Sequence, residues 1–267
     1  MTSEQPLVSV NIATYNRSEL LRKCLESVLR QSYTNLEINI VDDGSTDDTQ
    51  TVVQEFMVKD SRVKYIRHQK NMGVAHAKNR AYQECTGVYV AFMDDDDVWI
   101  DPDKLAKQVY IMESNPGIGI VCSNVNILGP DGRSHVKTIE MPKSLVRHIL
   151  RYNSIIYNST VLTRRSIMEK TNGFDLNLSR GIDSDYFRYC IVKLGYDVYF
   201  MNEVTAIYRE YGNDRVTLVG SKNAIKKLLH SHFYTIRKYF VQFLTHPFAL
   251  MLRMAKILKY TIKYVRI

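Results

Sequence analysis

Strand-like and helix-like segments alternate through about the first 95 residues, and this alternation limits the possible folds more than any other feature of the chain. Short apolar runs rich in β-branched residues predict strands at residues 7–13, 36–41, 63–67 and 88–93. Amphipathic segments predict helices after Ser18, at residues 48–59 and at residues 73–85. Parallel strands need a crossover between them, so the pattern indicates an α/β fold with a mostly parallel sheet covered by helices on both faces.

Polar clusters follow three of these predicted strands at the point where each strand ends. They are Thr14-Tyr15-Asn16, Asp42-Asp43 and Asp94-Asp95-Asp96-Asp97. Ligands of open α/β sheets bind beyond the carboxyl ends of the strands, so we expect the three clusters to form one site.

The run from Asp94 to Asp97 places four carboxylates side by side after an apolar strand. Oxygen ligands of this kind suit Mg²⁺ or Mn²⁺, which share their coordination with substrate phosphates. The alternative is a solvated acidic turn. Asp42 and Asp43 can accept hydrogen bonds from a nucleotide base or ribose, or they can simply form a turn and a helix cap. No G-x-G-x-x-G sequence follows the first strand, which argues against a dinucleotide cofactor.

The positive charge of the chain is concentrated at its C-terminal end. Residues 215–267 contain eleven Lys or Arg and no Asp or Glu, whereas the first 214 residues contain 25 basic and 28 acidic residues. We therefore divide the chain into a larger domain at 1–215 and a basic helical tail at 216–267.

The tail is predicted to form two helices, at 222–244 and 247–266. In the second helix, basic residues from Arg253 to Arg266 are expected on one side and Leu250, Met254 and Leu258 on the other. Such a helix suits an anionic membrane surface. The alternative is a helix pair that packs on the domain at 1–215. Aromatic platforms and motifs for binding nucleic acid are missing from the sequence, so we expect no nucleic-acid partner.

Several motifs, in a fixed order, resemble those of the family-2 glycosyltransferases of GT-A fold. The sequences are VSVNIATYNR, VDDGSTD, NMGVAHAKNRA and FMDDDDVWIDPDKL, followed by Gly173-Phe174-Asp175 and by Asp183-Ser184-Asp185-Tyr186. The resemblance covers roughly the first 210 residues. It implies a GT-A (Rossmann-like) nucleotide-diphospho-sugar transferase fold and an inverting glycosyltransferase. Residues 1–215 would then be the catalytic domain, with a nucleotide-binding half at about 1–100 and an acceptor half at about 101–215.

The resemblance also implies roles for the matching residues. Asp183 matches the general base, although Ile182 stands before it where the family usually has Glu. Separately, Tyr211 stands where the family often has a His that would contact phosphate. Asp94, Asp96 and Asp97 are the expected ligands of Mn²⁺ or Mg²⁺. The expected nucleotide-binding residues are Ala13, Thr14, Tyr15, Asp42, Asp43, Lys78 and Asp95.

The expected donor is a nucleoside-diphosphate sugar, with UDP as the favoured nucleotide. The expected acceptor is a glycan or a lipid-linked hydroxyl in the synthesis of a bacterial-type cell-surface polysaccharide or glycolipid. The N-terminus has no signal peptide, and the four cysteines show no zinc-binding spacing, so we expect a cytoplasmic enzyme that is peripheral on the inner face of the membrane.

Two other functions remain as alternatives. The segment from Val90 to Val98 also fits a phosphohydrolase of haloacid-dehalogenase type, with Asp94 as the nucleophile. A non-catalytic nucleotide-sugar-binding membrane protein is the second alternative.

Overall fold

A computed structural model describes residues 5–151, 155–210 and 221–266. These residues form a nine-stranded sheet with the order β3-β2-β1-β4-β8-β6-β9-β5, and β7 pairs with β6 outside this path. The strands are β1 (Val8–Thr14), β2 (Leu36–Asp42), β3 (Val63–Arg67), β4 (Tyr89–Asp94), β5 (Val98–Trp99), β6 (Ile118–Leu128), β7 (Ser134–Lys137), β8 (Leu162–Arg164) and β9 (Asp197–Arg209).

Helices follow or connect most of the strands and supply a separate C-terminal group. They are α1 (Ser18–Leu29), α2 (Thr49–Lys59), α3 (Val74–Gln83), α4 (Lys104–Ser114), α5 (Leu145–Arg151), α6 (Arg165–Thr171), α7 (Ile182–Arg188), α8 (Lys222–Lys238), α9 (Phe240–Leu244) and α10 (Pro247–Arg266). A 3₁₀ turn covers Asn158–Thr160, and one π-helical turn, Tyr189–Lys193, continues α7.

The first four strands are parallel and form one end of the sheet, which confirms the predicted α/β class. Every residue of β2 is buried, and β1 is buried except for partial exposure at Ala13. Strands covered on both faces need apolar residues in continuous runs, and this explains the sequence of both segments. The register aligns Thr14 with Asp42 and Ala13 with Asp94, so the carboxyl ends of β1, β2 and β4 meet at one edge.

The second half of the sheet is mixed. Strand β8 is antiparallel to both β4 and β6, whereas β6 and β9 are parallel. Residues 158–160 form the 3₁₀ turn, and β8 begins at Leu162. The long strand β9 pairs with β6, and this pairing is irregular near Asn124.

The tail packs on the catalytic domain. The side chain of Lys238 in α8 donates hydrogen bonds to Asp175 at 2.6 Å and to Asp185 at 2.7 Å. Helix α10 runs back along α8, with the ammonium of Lys222 5.0 Å from the ring centre of Tyr264. The domain boundary predicted at 215/216 and Tyr211 both lie outside the described residues.

The predicted faces of α10 require a correction. Arg253 is buried, and it donates hydrogen bonds to the Leu150 carbonyl at 3.0 Å and to His232 at 3.2 Å. Burial and the charge of Arg188 lower the pKa of Arg253 to about 9. Met254 and Leu258 lie instead on the exposed side of the helix. The spacing of the basic residues could not show which side of α10 faces the domain. Arg253 can be buried because the Leu150 carbonyl and the His232 ring accept hydrogen bonds from its guanidinium.

Candidate active site

The three polar clusters predicted to share a site do meet at the carboxyl ends of β1, β2 and β4. Thr14 is buried at the end of β1, and Tyr15 beside it is 41% exposed. Asn16 adopts a left-handed conformation with φ 52° and accepts a hydrogen bond from the Thr46 backbone at 2.7 Å. This hydrogen bond connects the turn after β1 to the turn after β2, so the polar side chains of both turns lie together at this edge of the sheet.

Asp42 and Asp43 hold the loops at this edge of the sheet through hydrogen bonds. Asp42 is buried and accepts hydrogen bonds from the Ser45 backbone at 2.7 Å and from the Tyr65 hydroxyl at 2.6 Å. Asp43 is buried as well and accepts hydrogen bonds from the backbone of Met72 at 3.0 Å and of Gly73 at 2.7 Å. Asp42 therefore orders the turn after β2, and Asp43 orders the loop that precedes α3.

His68 is a further neighbour of Asp43 that the sequence reasoning missed. Its Nδ1 lies 2.7 Å from the Asp43 Oδ1, at the end of β3. Its position directly after a predicted parallel strand was the signal that could have identified it.

The four acidic residues after β4 have different environments. Asp94 accepts hydrogen bonds on its Oδ1 from Lys78 at 2.9 Å and from Asn158 at 2.8 Å. Asp95 is buried and pairs with Arg17 at 2.8 Å. Asp94 is therefore the more open of these two carboxylates, with 26% of its side chain exposed compared with 5% for Asp95.

Asp96 is likewise more exposed than Asp97. The Oδ2 of Asp96 lies 3.2 Å from Arg17 and 3.8 Å from Arg209. Asp97 is buried, and its Oδ1 accepts a hydrogen bond from the Arg209 backbone at 3.1 Å while its Oδ2 accepts one from the Ser159 hydroxyl. Both oxygens of Asp97 thus hold neighbouring segments together, and its role as a metal ligand stays a prediction.

Ser159 is a second residue that the sequence reasoning missed. Its hydroxyl donates to Asp97 and also accepts a hydrogen bond from the Asp94 backbone at 3.1 Å. Its carbonyl accepts a hydrogen bond from the buried indole of Trp99 at 2.6 Å. The 3₁₀ turn therefore fixes both ends of the acidic run, and no local sequence signal indicates a contact over this chain separation.

The acidic cluster carries more negative charge than its surroundings neutralise. Burial and the charges of Asp95 and Asp94 raise the pKa of Asp96 to about 6, although Arg17 and Arg209 oppose the rise. Burial also raises the pKa of Asp95 and of Asp97. A bound cation would lower this electrostatic cost.

A metal ion fits this site only if a substrate completes the coordination. The described residues contain no group of three or more His, Cys, Asp or Glu side chains arranged to hold a metal. The contacts of Asp94 fall on Oδ1 and those of Asp96 on Oδ2. One or two carboxylates together with substrate phosphates are the usual ligands of Mg²⁺, so Asp94 and Asp96 match a site that the donor completes.

Asp183 reaches the same site from the other half of the chain. Gly181 adopts a left-handed conformation with φ 70° and begins the short helix α7, which carries Asp183 in its first turn. The Asp183 Oδ1 accepts a hydrogen bond from Lys78 at 2.8 Å, and 32% of its side chain is exposed. Its removal from bulk water raises the pKa of Asp183, Lys78 opposes the rise, and the charge of Asp94 adds to it.

The neighbouring Asp185 has a different environment. It is buried, and its carboxylate accepts hydrogen bonds from Lys238 at 2.7 Å and from the Tyr239 hydroxyl at 3.2 Å. Of the two carboxylates, only Asp183 has the exposure that an acceptor hydroxyl would require.

Comparisons with known proteins agree with this geometry. A family model described as "Glycosyl transferase family 2" matches residues 9–172. The chain belongs to this family and is an inverting glycosyltransferase that uses a nucleotide-sugar donor. This membership excludes the phosphohydrolase alternative, in which Asp94 would be a nucleophile.

Two relatives illustrate the range of similarity. The putative teichuronic acid biosynthesis glycosyltransferase TuaG of Bacillus subtilis is 35% identical over 214 residues, which cover 80% of this chain and 82% of that protein. The UDP-Glc:α-D-GlcNAc-diphosphoundecaprenol β-1,3-glucosyltransferase WfaP of Escherichia coli is 42% identical over 108 residues, which cover 40% of this chain and 42% of that protein.

Two solved structures share the fold. TarS of S. aureus in complex with UDP-GlcNAc superposes with a TM-score of 0.65 at 18% identity, over 85% of this chain and 65% of that chain. The mannosyltransferase PcManGT from Pyrobaculum calidifontis in complex with GDP-Man and Mn²⁺ superposes with a TM-score of 0.64 at 21% identity, over 95% of this chain and 74% of that chain. These similarities confirm the predicted GT-A fold.

Proposed function

We propose that this enzyme transfers a sugar from a UDP-sugar to a hydroxyl of a lipid-linked glycan during synthesis of a bacterial cell-surface polysaccharide or glycolipid. The relatives TuaG and WfaP, whose names describe teichuronic acid biosynthesis and a diphosphoundecaprenol-linked acceptor, support this choice. The observation that carries the proposal is the convergence of Asp94, Asp96 and Asp183 at one edge of the sheet, where Lys78 contacts both Asp94 and Asp183.

Asp183 is the proposed general base. An acceptor hydroxyl is a weak nucleophile until a positioned carboxylate takes its proton. The raised pKa of Asp183 makes its carboxylate a stronger base than an ordinary exposed aspartate. Attack by the activated oxygen opposite the leaving diphosphate inverts the anomeric carbon, and this requires one base and no covalent intermediate.

Asp94 and Asp96 are the proposed ligands of Mn²⁺ or Mg²⁺. When bound, such an ion supplies Lewis-acid neutralisation of the departing diphosphate. The roles of the protein are to hold the two carboxylates with one open oxygen each and to balance the remaining charge through Arg17 and Arg209. Asp42, Asp43, Thr14, Ala13 and Tyr15 form the proposed base and ribose pocket, and Asp95 supports it through Arg17.

The test measures UDP release from UDP-glucose and UDP-GlcNAc, with synthetic GlcNAc-diphosphoundecaprenol as the acceptor. We expect EDTA to abolish transfer and Mn²⁺ or Mg²⁺ to restore it. Asp183→Asn should still bind UDP but lose roughly 10²-fold or more in kcat, the usual range for removal of a general base. Full activity in rigorously metal-free protein would overturn the metal proposal, and full activity of Asp183→Asn would overturn the base.

We also propose that the tail binds an anionic membrane and brings the active site to its lipid-linked acceptor. Among the described residues, no helix has the length and apolar character needed to span a bilayer. Ten of the 21 exposed large apolar side chains in the described part of the chain lie in residues 221–266, although these residues make up less than a fifth of it. Such a concentration of exposed apolar side chains marks an interaction surface.

The exposed apolar side chains of α10 form a stripe along the helix, which we call the outer stripe. Met251, Leu258 and Val265 are 57%, 62% and 75% exposed, and they recur every seven residues. Positions three and four residues apart share a helix face, so the other members extend the same stripe. The complete outer stripe consists of Phe248, Met251, Met254, Ala255, Leu258, Ile262 and Val265.

Charge favours a membrane over a second copy of the chain as the occupant of the outer stripe. Lys259 is exposed on the flank of the stripe, and Lys226 and Arg237 are exposed on α8. The tail contains no acidic residue that could pair with these cations across a symmetric helix interface. Each Lys or Arg near an anionic leaflet contributes about 1 kcal/mol to binding, and apolar side chains add to it by entering the interface.

Vesicle co-sedimentation tests this proposal. The full chain should pellet with phosphatidylglycerol vesicles at low salt, less at high salt, and little with phosphatidylcholine vesicles. Met251→Ser/Leu258→Ser should lose most of the binding, whereas Val58→Ser, which alters an 89% exposed apolar residue on α2, should not. A double variant that pellets as much as the unaltered chain would contradict a membrane-binding stripe. So would a double variant that loses self-association but still binds vesicles.

A further inference from the structure

Two consecutive residues of α3 connect the donor half of the enzyme to the segment that carries the proposed base. Lys78 donates hydrogen bonds to Asp94 at 2.9 Å and to Asp183 at 2.8 Å. Asn79 accepts a hydrogen bond from the Phe174 backbone at 2.7 Å and donates one to the Phe174 carbonyl at 2.8 Å. Helix α3 therefore holds residues 174–183 at both ends.

The Lys78 side chain is closely confined. It is 11% exposed, and its ammonium lies 5.5 Å from the ring centre of Phe174. Burial alone would lower its pKa, but Asp183 and Asp94 raise it, so the ammonium stays charged. The Lys78 ammonium donates a hydrogen bond to one oxygen of each carboxylate. These two oxygens therefore cannot lie farther apart than the sum of the two hydrogen-bond distances. Lys78 thus fixes the separation between a carboxylate of the donor site and the base.

Within the described part of the chain, Asp183 has few other restraints. It lies in the first turn of a seven-residue helix that follows a left-handed glycine, and about a third of its side chain is exposed. A short aspartate side chain in this position can turn toward solvent unless a partner holds it. General base catalysis requires the carboxylate within hydrogen-bond reach of the acceptor hydroxyl, and small misplacements are costly.

We propose that Lys78 is a positioning residue, which holds the carboxylate of Asp183 against the donor site so that the acceptor hydroxyl and the sugar meet in line. The proposal rests on the proposed role of Asp183 as the base. It differs from the role that the sequence resemblance implies for Lys78, which is contact with the nucleotide or its phosphates. A residue that acts through Asp183 affects kcat, whereas a residue that only binds phosphate affects the affinity for UDP.

A double-mutant cycle separates the two roles. The assay is UDP release from UDP-GlcNAc and UDP-glucose, with UDP affinity measured separately by calorimetry. Lys78→Met should lower kcat by about 10²-fold, the scale expected for a misplaced reacting group. In the Asp183→Asn background, the same change should lower kcat by less than about 3-fold, because residues acting as a unit are not additive.

Two further variants complete the experiment. Lys78→Arg keeps the positive charge and should retain kcat within about 10-fold of the unaltered enzyme, because its guanidinium carries several N–H groups that can donate to both carboxylates. Lys23→Met removes an exposed lysine on α1 and should leave kcat and UDP affinity unchanged. Retained UDP binding by Lys78→Met would show that the variant is folded.

The outcomes are distinct. If Lys78→Met weakens UDP binding and leaves kcat intact, or if its effect multiplies fully with that of Asp183→Asn, the positioning role is wrong. If Asp183→Asn alone keeps full activity, the proposed base is wrong, whatever Lys78→Met does. A loss of kcat in Lys78→Met that disappears in the Asp183→Asn background, with rescue by Lys78→Arg, supports both.

Discussion

The charge of the acidic run should make the metal-free enzyme less stable than its Asp96→Asn variant. Burial and the charges of Asp95 and Asp94 raise the pKa of Asp96 from 3.8 to about 6. A carboxyl group with a higher pKa in the folded state destabilises the fold wherever it is ionised. At 1.36 kcal/mol per pKa unit, the cost at neutral pH is about 3 kcal/mol. Asparagine has nearly the same volume and no charge, so the variant should recover up to this amount while losing activity.

The pH dependence follows from the same pKa shift. Well below pH 3.8 the carboxyl group is protonated in both the folded and the unfolded chain, so the two proteins should be equally stable. The advantage of Asp96→Asn should grow between 3.8 and about 6 and then stay constant at higher pH. Urea unfolding in EDTA across this range measures it, and thermal unfolding should show a rise of roughly 2–4 °C per kcal/mol.

Asp197→Asn serves as the matched control, because Asp197 is exposed at the start of β9. A surface change of this kind should alter the free energy of unfolding by no more than about 0.5 kcal/mol. The reasoning fails if Asp96→Asn is less stable than the unaltered enzyme at pH 8, or if its advantage is as large at pH 3 as at pH 8.

Three other predictions concern Glu37, Asp185 and Gly173. Burial alone would raise the pKa of Glu37, but hydrogen bonds from neighbouring groups hold it at about 2. The ionised Glu37 should therefore stabilise the fold by about 3 kcal/mol above pH 4.5, by the same conversion. This stabilisation should disappear as the pH falls toward 2, and urea unfolding of Glu37→Gln should lack this acid dependence. Asp185→Asn should lower the free energy of unfolding by about 3 kcal/mol, because it leaves the ammonium of Lys238 without one of its carboxylates, and it should reduce kcat less than Asp183→Asn. Gly173→Ala should reduce activity and Tm together, because Gly173 has φ +81° and a Cβ there would lie 2.3 Å from an Asn79 oxygen.

The donor half could be predicted because its signals are local. Strands of five to seven residues alternate with amphipathic helices, and β3 was predicted with its observed bounds. Parallel pairing then required the residues after β1, β2 and β4 to meet, and the register of Thr14, Asp42 and Asp94 confirms it. Here the sequence pattern and the tertiary contacts have the same physical origin, namely burial of both faces of the sheet.

The supporting residues of the site could not be predicted, because their roles depend on contacts far along the chain. Arg17 follows β1 yet pairs with Asp95 and Asp96, and Ser159 reaches Asp94 and Asp97 from a 3₁₀ turn. Arginine in a polar loop and serine after asparagine are common at any surface. The pairing of β1 with β4 brings Arg17 to Asp95 and Asp96. The position of β8 beside β4 brings the 3₁₀ turn that precedes β8 to Asp94 and Asp97.

The packing of the tail determines how its membrane role can be tested. Lys238 and Tyr239 hydrogen-bond to Asp185, which lies two residues beyond Asp183 on the same short helix. Removing the tail would therefore strip a buried carboxylate of its partners, at a cost of about 3–5 kcal/mol. A truncated chain would lose activity for this reason even if the tail never contacted a lipid.

Substitutions on the outer stripe avoid this problem, because the stripe faces away from the catalytic domain. Met251→Ser/Leu258→Ser leaves the inner contacts of α10 intact, including the hydrogen bonds of Arg253. If the tail serves only to bring the enzyme to its acceptor, this variant should keep kcat with acceptor dispersed in detergent and lose turnover with acceptor embedded in anionic vesicles. An equal loss in both assays would instead show that the stripe supports the catalytic domain, because an effect that persists without a bilayer cannot arise from binding to one.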